Sequence, residues 1–266
     1  MGSLSNYAED AWISHLAATA YTPVATLYLA LCTADPTDAA TGASCNECAN
    51  ANNYARVACA FGAAASRAIA NSGTVTFAQA SGSWGTASHF VIVDSATYGA
   101  GNVLAHGALT TPKAIVNGNT PSFAAGQISV SVTAGAFGTA FANLMLDKMF
   151  RNQTYAQPTT KVALYTTVCS DAALGTEATG TGYAQVTVNK VGGGAPKWAA
   201  VSGGATSNAD AVTFTQAGAS WGTIVATAIV DGAGALLVYD NGTADQAVAS
   251  GDTVSFPAGD IDISIT

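Results

Sequence analysis

The chain has 266 residues, with 16 Asp and Glu against 8 Lys and Arg, a formal net charge of −8; charged residues are 9% and apolar residues 49%. Ordinary soluble domains carry about 25% charge, so polarity here rests on Ser, Thr, Asn and Gly instead. Eight scattered basic residues are too few to displace the counterions of a nucleic acid, and the apolar content is too high for a disordered chain, so both classes are excluded.

The opening segment predicts a helix. Asn6 and Glu9 stand at capping-box spacing, and Leu4, Ala8, Ala11, Trp12 and Leu16 recur at helical intervals. The uncharged run Ala11–Ala34 contains His15 and Pro23 and follows Glu9 and Asp10 rather than Lys or Arg. It fits neither a secretory signal nor a bilayer span, so the mature chain is expected to begin at Met1, to be soluble and to make no membrane contact. Short runs rich in Val, Ile, Thr and aromatics follow, broken by Gly, Asn and Pro; Val24–Cys32, Val75–Ala78, Phe90–Asp94, Val103–Leu109 and Ile128–Val132 read as strands. A second helix is expected from a Thr139 cap through Phe141, Leu144, Met145, Lys148 and Met149 to Asn152. The closing Ile261-Asp262-Ile263-Ser264-Ile265 alternates strictly, as a half-buried strand does.

Laid against itself, the sequence repeats. The block from Asn71 to Phe77 returns as Asn208 to Phe214, Ser83-Trp84-Gly85-Thr86 as Ser220-Trp221-Gly222-Thr223, and Val91–Asp94 as Ala228–Asp231, all at one offset of 137 residues (Trp84 to Trp221). Gly118–Gly126 matches Gly251–Gly259 at 133 (Gly118 to Gly251), so about four residues are missing between the second-copy blocks. Tyr54-Ala55 pairs with Tyr183-Ala184, and Tyr28–Leu31 with Lys161–Leu164. The expected fold is mainly β with one short helix per unit: two tandem copies of a small β-sandwich or barrel-like domain, residues 1–133 and 134–266, in a fixed relation because the join near Thr133 is short. Trp84 and Trp221, Phe77 and Phe214, and Phe123 and Phe256 are the expected structural residues. Each Trp should sit buried at the foot of a strand, beside a Gly that permits a tight turn.

Candidate chemistry is sparse. Gly218-Ala219-Ser220-Trp221-Gly222 matches a nucleophile-elbow pattern, but no histidine follows it and its duplicate breaks the pattern at Ser81, so it reads as a turn with a packed Trp. His15, His89 and His106 have no ligand rhythm, and Tyr239 replaces His106 in the second copy. Cys45-Asn46-Glu47-Cys48 lies in the loop Thr41–Asn53, with Cys32 and Cys59 elsewhere in the same unit. Cys45 and Cys48 read as a local disulfide or as free thiols rather than as a zinc site. Asp240–Asp245 lacks the oxygen ligands of a calcium loop and reads as a hairpin turn. No catalytic, cofactor-binding or metal residue is expected.

Three blocks carry a resemblance: Leu4–Glu9 through Tyr28–Leu31 to Thr33–Asp38; Asn53–Arg56 with Thr76-Phe77 and Gly82–Thr86; and Gly107–Lys113 with the closing Gly251–Asp262. They resemble a family of small tailed-bacteriophage virion proteins, labelled tail-fibre or head-decoration proteins, whose members are about one unit long. The resemblance implies a structural, non-enzymatic protein at the virion surface, assembled in the host cytoplasm. Its implied partners are the major capsid protein or other virion subunits and its own copies, with no nucleic acid or membrane. Within it, capsid decoration is the first expectation, argued from two similar faces per chain and the lack of a heptad shaft. The alternative is a tail-fibre or collar subunit acting as a receptor-binding adhesin through loop aromatics such as Tyr98 and Trp198. The second copy has Gln185 where the first has Arg56 and lacks the Pro-Lys of Lys113, so contacts of those two residues are expected once per chain.

Overall fold

The computed structural model describes residues 2–133, 137–242 and 245–265. In chain order the first repeat forms β1 (Ser3–Leu4), α1 (Asn6–Ala17), β2 (Tyr28–Cys32), β3 (Val57–Ala58), β4 (Ala68–Ala70), β5 (Val75–Thr76), β6 (Gly85–Val93), β7 (Val103–Ile115), β8 (Ser122–Phe123) and β9 (Ser129–Ser131). The second forms α2 (Thr139–Arg151), β10 (Thr160–Tyr165), β11 (Val186–Val188), β12 (Ala205–Ser207), β13 (Val212–Thr213), β14 (Gly222–Ile224), β15 (Ala226–Val230), β16 (Leu236–Asp240), β17 (Gln246–Val248), β18 (Ser255–Phe256) and β19 (Asp262–Ser264).

The first repeat builds an antiparallel sheet in the order β1-β7-β6-β2-β3, completed by the two-stranded ladders β4/β9 and β5/β8. The second builds β11-β10-β15-β16 with ladders β12/β19, β13/β18 and β14/β17. These are one topology. Leu29 faces Val57 as Val162 faces Val186, Val75 faces Phe123 as Val212 faces Phe256, and Gly85 faces Ile115 as Gly222 faces Val248. Because a one-residue slip would turn every core side chain to the other face, this identity of register is strict evidence of duplication. The fold is mainly β, two tandem copies of one small domain with one helix each. The missing residues lie in a single connection: nine residues, 94–102, join β6 to β7, whereas five, 231–235, join β15 to β16.

One irregularity recurs. Ala87 pairs with Lys113 but His89 pairs with Ala108, so Leu109–Pro112 bulge out opposite Ser88. Pro112 lacks the N–H that a regular ladder would require of it, and the bulge accommodates that. The second repeat breaks at the same place, between β16 and β17. Asp240–Asp245 is therefore not the expected hairpin turn, because β16 and β17 continue in one direction along β15 and β14. Asp240 Oδ1 accepts the Gly242 N–H at 2.7 Å, a local turn that bends the strand without reversing it. Thr243 and Ala244 lie outside the described residues.

Compactness divides the chain into one unit of residues 1–9, 22–132 and 143–155 and another of residues 10–21, 133–142 and 156–266. The strands follow the repeats; the helices do not, each being divided between the units. In the first unit the later part of α2 packs Phe150 edge-on against Phe61 at 5.2 Å, and Asp147 Oδ1 accepts the Ala64 N–H at 2.8 Å. In the second, Trp12 of α1 meets Phe137 and Phe141 edge-on, each at 6.0 Å, and Asp10 Oδ1 accepts the Gly204 N–H at 2.7 Å. Trp12, Leu16, Phe141 and Met145 are all buried, so both helix faces serve core packing. The cap of α1 is Ser5 rather than Asn6: Ser5 Oγ accepts the Ala8 N–H at 3.3 Å and donates to the Val103 carbonyl, while the Asn6 N–H is drawn to Asp38 O at 3.0 Å. In α2, Gly138 occupies the corresponding position and Thr139 opens the helix with its N–H on Asp171 O (2.7 Å). The helix closes at Asn152, whose φ of 52° is the left-handed C-terminal conformation. No helix among the described residues is long and apolar enough to cross a membrane.

Each domain is filled by the same aromatic cluster. Trp84 stands edge-on to Tyr54 at 5.1 Å and to Phe77 at 6.1 Å; Trp221 stands edge-on to Tyr183 at 5.3 Å and to Phe214 at 6.3 Å. Phe123 and Phe256, both half-buried, each lie 6.4 Å from Phe77 and Phe214 respectively. The two Trp rings are 2% exposed and sit immediately before β6 and β14, where Gly85 and Gly222 turn at φ of 88° and 89°. Their indole N–H groups donate to Asn52 O (2.8 Å) and Thr181 O (3.2 Å). Trp84→Ala and Trp221→Ala should each cost about 3–5 kcal/mol in urea melts, since each empties a core site; a loss under about 1 kcal/mol would contradict this packing.

Candidate functional site

A buried polar network adjoins the aromatic cluster of the first repeat. Tyr54 turns its ring to Trp84 and its hydroxyl the other way, donating to Glu47 Oε1 at 2.8 Å and accepting the Leu31 N–H at 3.1 Å. Arg56 meets the same carboxylate in a bidentate pair, Nε to Oε1 at 3.0 Å and Nη2 to Oε2 at 2.8 Å. Its remaining donors reach Ser95 O at 2.9 Å, Ala100 O at 2.7 Å and Gly42 O at 3.0 Å. The Arg56 side chain is 0% exposed and that of Glu47 4%, so the pair sits in protein rather than in water. Burial disfavours the guanidinium charge, but the hydrogen bonds and attraction to Glu47 outweigh it and hold the Arg56 pKa above its ordinary value. Burial, then the Glu47 charge, pushes the Tyr54 hydroxyl up.

The second repeat keeps half of this arrangement. Tyr183 donates to Glu177 Oε1 at 2.8 Å and accepts the Leu164 N–H at 3.0 Å, but Gln185 replaces the arginine and donates a single bond to Glu177 at 2.9 Å. The reason is geometric. Ser95 and Ala100, which take two arginine donors, lie in the long 94–102 connection, and the short 231–235 connection offers no counterpart. A buried guanidinium without those carbonyls would carry unsatisfied donors. Arg56 and the long connection therefore belong together, and the arginine's contacts are made once per chain.

A second shared device is an asparagine staple. Asn71 donates to Gly73 O and Ala124 O (2.7 and 2.9 Å) and accepts the Ile128 N–H (2.9 Å); Asn208 does the same with Asp210 O, Pro257 O and the Ile261 N–H (2.8, 2.7 and 2.8 Å). Each repeat also has an open groove bordered by the strand bulge and Phe123 or Phe256. That of the first repeat, about 620 Å³, is lined by Lys113, Asn119 and Gln127; that of the second, about 400 Å³, by Asp240, Asp260 and Asp262. The two grooves differ in size and in charge.

The remaining candidates are scattered. Ser220 Oγ donates to Val248 O at 3.0 Å and accepts the Gly222 N–H at 3.2 Å, a strand-opening turn rather than a strand-to-helix elbow. His15 is buried on α1 and accepts the Tyr21 N–H at 3.1 Å, His89 lies beside Ser88 Oγ at 2.9 Å, and His106 pairs with Asp38 at 2.7 Å. The counterpart of that last pair is Tyr239 with Asp171, at 2.6 Å. Among the described residues no group of His, Cys, Asp and Glu could hold a metal ion. Cys45 and Cys48 are buried free thiols, as are Cys32, Cys59 and Cys169. Trp198 is 1% exposed, with its N–H on Thr160 Oγ1 at 2.9 Å, so it cannot offer a ring to a glycan; Tyr98 is 40% exposed and rests edge-on against Tyr54 at 6.4 Å.

What the geometry defines is a duplicated structural β domain whose repeats differ in loops and groove charge. A family model described as podophage GP4 fiber I protein gp80 matches residues 3–131 and again 136–264. The chain belongs to this family, in tandem duplicate, and is a bacteriophage virion structural protein of fibre type. No curated protein matches it.

Two outcomes test the site. Arg56→Ala strands a buried carboxylate and should cost about 3–5 kcal/mol in urea melts, whereas Gln185→Ala, removing one neutral donor, should cost about 1 kcal/mol. Burial, then Glu47, raises the Cys48 thiol to about 11, and burial raises Cys59 to about 12. A pKa raised by folding gives stability that is complete below the ordinary value of 9.0 and is lost as pH rises through the folded value. Stability should therefore fall from about pH 9 upward, less steeply in Cys59→Ala, as stepped-pH melts will read.

Proposed function

We propose that the protein is a non-enzymatic fibre subunit on the outside of a podophage particle, held by non-covalent contacts with other virion subunits and with its own copies. The observation that carries this reading is the family match across both halves of the chain, whose description is that of a fibre protein. It favours the fibre over capsid decoration, which the sequence alone had placed first. The composition supports a particle role: with 9% charged residues the chain presents largely neutral faces, whose contacts salt screens little. The unlike grooves support two different contact surfaces rather than two equivalent ones.

Electron microscopy of intact particles, with and without the gene for this chain, tests the reading. Density for the chain should project from the particle as a fibre, and particles lacking it should keep heads of normal heat resistance. Density spread regularly over the head lattice, together with heads that burst at lower temperature, would replace the fibre by decoration. Loss of adsorption to host cells with intact heads would add receptor binding to the fibre role.

A further inference from the structure

Cys45 lies in a loop that is longer in the first repeat than in the second. Between the aspartate bonded to His106 or Tyr239 and the glutamate bonded to the core tyrosine, the chain runs from Asp38 to Glu47 in the first repeat and from Asp171 to Glu177 in the second, three residues shorter. In both repeats the end of this loop folds back on the central strand: the Cys48 N–H donates to Leu31 O and the Thr33 N–H to Asn46 O, both at 2.9 Å, with Cys32 bridging Glu47, just as Ala178 donates to Leu164 O, Thr166 to Thr176 O and Tyr165 bridges Glu177. This sets Cys45 on the core side, in one buried cluster with Cys32, Ala30, Ala40, Val91 and Val93. In the second repeat the place of Cys32 is taken by Tyr165, whose ring fills the corresponding cluster with Ala163, Ala228 and Val230. There the cluster holds the Tyr165 ring and the Cys169 thiol; here it holds the two thiols of Cys32 and Cys45, brought together from two segments.

We propose that Cys32 and Cys45 form a disulfide under oxidising conditions, tying the longer loop to β2. The electrostatics of the pair set the order of events. The Cys45 thiol is held below its ordinary value by its interaction with Cys32 and by the Arg56 charge, against burial and Glu47, and the same interaction with Cys45, then burial, raises Cys32. Cys45 is thus the first nucleophile. Its thiolate attacks oxidised glutathione, forms a mixed disulfide and releases one glutathione thiolate. The Cys32 sulfur then attacks the Cys45 sulfur and expels the second. Two protein thiols are oxidised, one glutathione disulfide is reduced, and the two protein protons pass to the two glutathiones. Both thiols are buried, so the exchange proceeds when the loop opens locally. In a reducing cytoplasm the pair stays as thiols; outside the cell it closes.

The test is equilibrium refolding of the full chain from reduced urea solution into a glutathione redox buffer, followed by alkylation of free thiols and cleavage before aspartate. Cuts at Asp35 and Asp38 separate Cys32 from a fragment bearing Cys45, Cys48 and Cys59. The expected result is a dominant Cys32–Cys45 cross-linked pair with the other three cysteines alkylated, and a rise in Tm of several degrees that dithiothreitol reverses. Cys48→Ala should keep both the cross-link and the shift, and Cys45→Ala should lose both. A fragment internally oxidised between Cys45 and Cys48, glutathione adducts without a cross-link, or full alkylation of all five cysteines would each overturn the proposal. The mapping on the unaltered chain needs no variant to fold.

Discussion

A carboxylate taken out of water must be met by donors, and in this protein that requirement organises the domain around it. Glu47 and Glu177 each receive the hydroxyl of a core tyrosine, which at the same time accepts a backbone N–H of the central strand and presses its ring into the Trp-Phe cluster. Loop, sheet and aromatic core are thus held by one side chain per repeat. Where a guanidinium joins the carboxylate, three backbone carbonyls must be supplied as well, and the first repeat supplies them from its longer connections. A change of one residue, Arg56 for Gln185, is therefore inseparable from changes in loop length at distant points of the chain.

The duplication has been conservative in one layer and free in another. Ladder registers, the Trp turn, the Asn staple and the paired hydroxyls Thr76–Ser122 and Thr213–Ser255 are common to both copies. In the ladders and the Asn staple a single slip would leave backbone groups unpaired, so they tolerate little. The loops and groove rims face water and have diverged, to Lys113 on one side and three aspartates on the other. The chain consequently presents two unlike surfaces on one scaffold, which suits a subunit that meets different neighbours at its two repeats better than one that repeats a single contact.

Much of this was legible in the residues. The repeated Ser-Trp-Gly-Thr blocks mark the Trp turns because Gly at positive φ beside a large ring leaves a recognisable signature, and strict alternation marked Ile261–Ile265 correctly. The change of offset from 137 to 133 (Trp84 to Trp221, Gly118 to Gly251) foretold a shorter connection in the second copy. Other features escaped. Ser5 and Asn6 are both good caps, and only the tertiary pull of Asp38 on Asn6 decides between them. Trp198 looked like a loop aromatic because its burial depends on Thr160, 38 residues away. Glu47 was overshadowed by its flanking cysteines, and its kinship to Glu177 was hidden by the three-residue insertion. The division of each helix between units leaves no local trace, since helical periodicity reports that a face is buried and not against which strands.

How such a lightly charged chain keeps its structure follows from where its few charges are placed. Arg151–Asp147 and Lys197–Asp210 are partly exposed pairs at 3.0 and 3.1 Å, of the kind that salt screens and that adds little to stability. Arg56–Glu47 is the buried exception, out of reach of counterions and saturated on every side. The rest of the cohesion is apolar packing, backbone ladders and amide or hydroxyl bonds, none of which depends on ionic strength to first order. A particle component passes from a concentrated cytoplasm into media of any salinity. A fold that keeps the Arg56–Glu47 pair in its interior and carries few charges overall is matched to that passage.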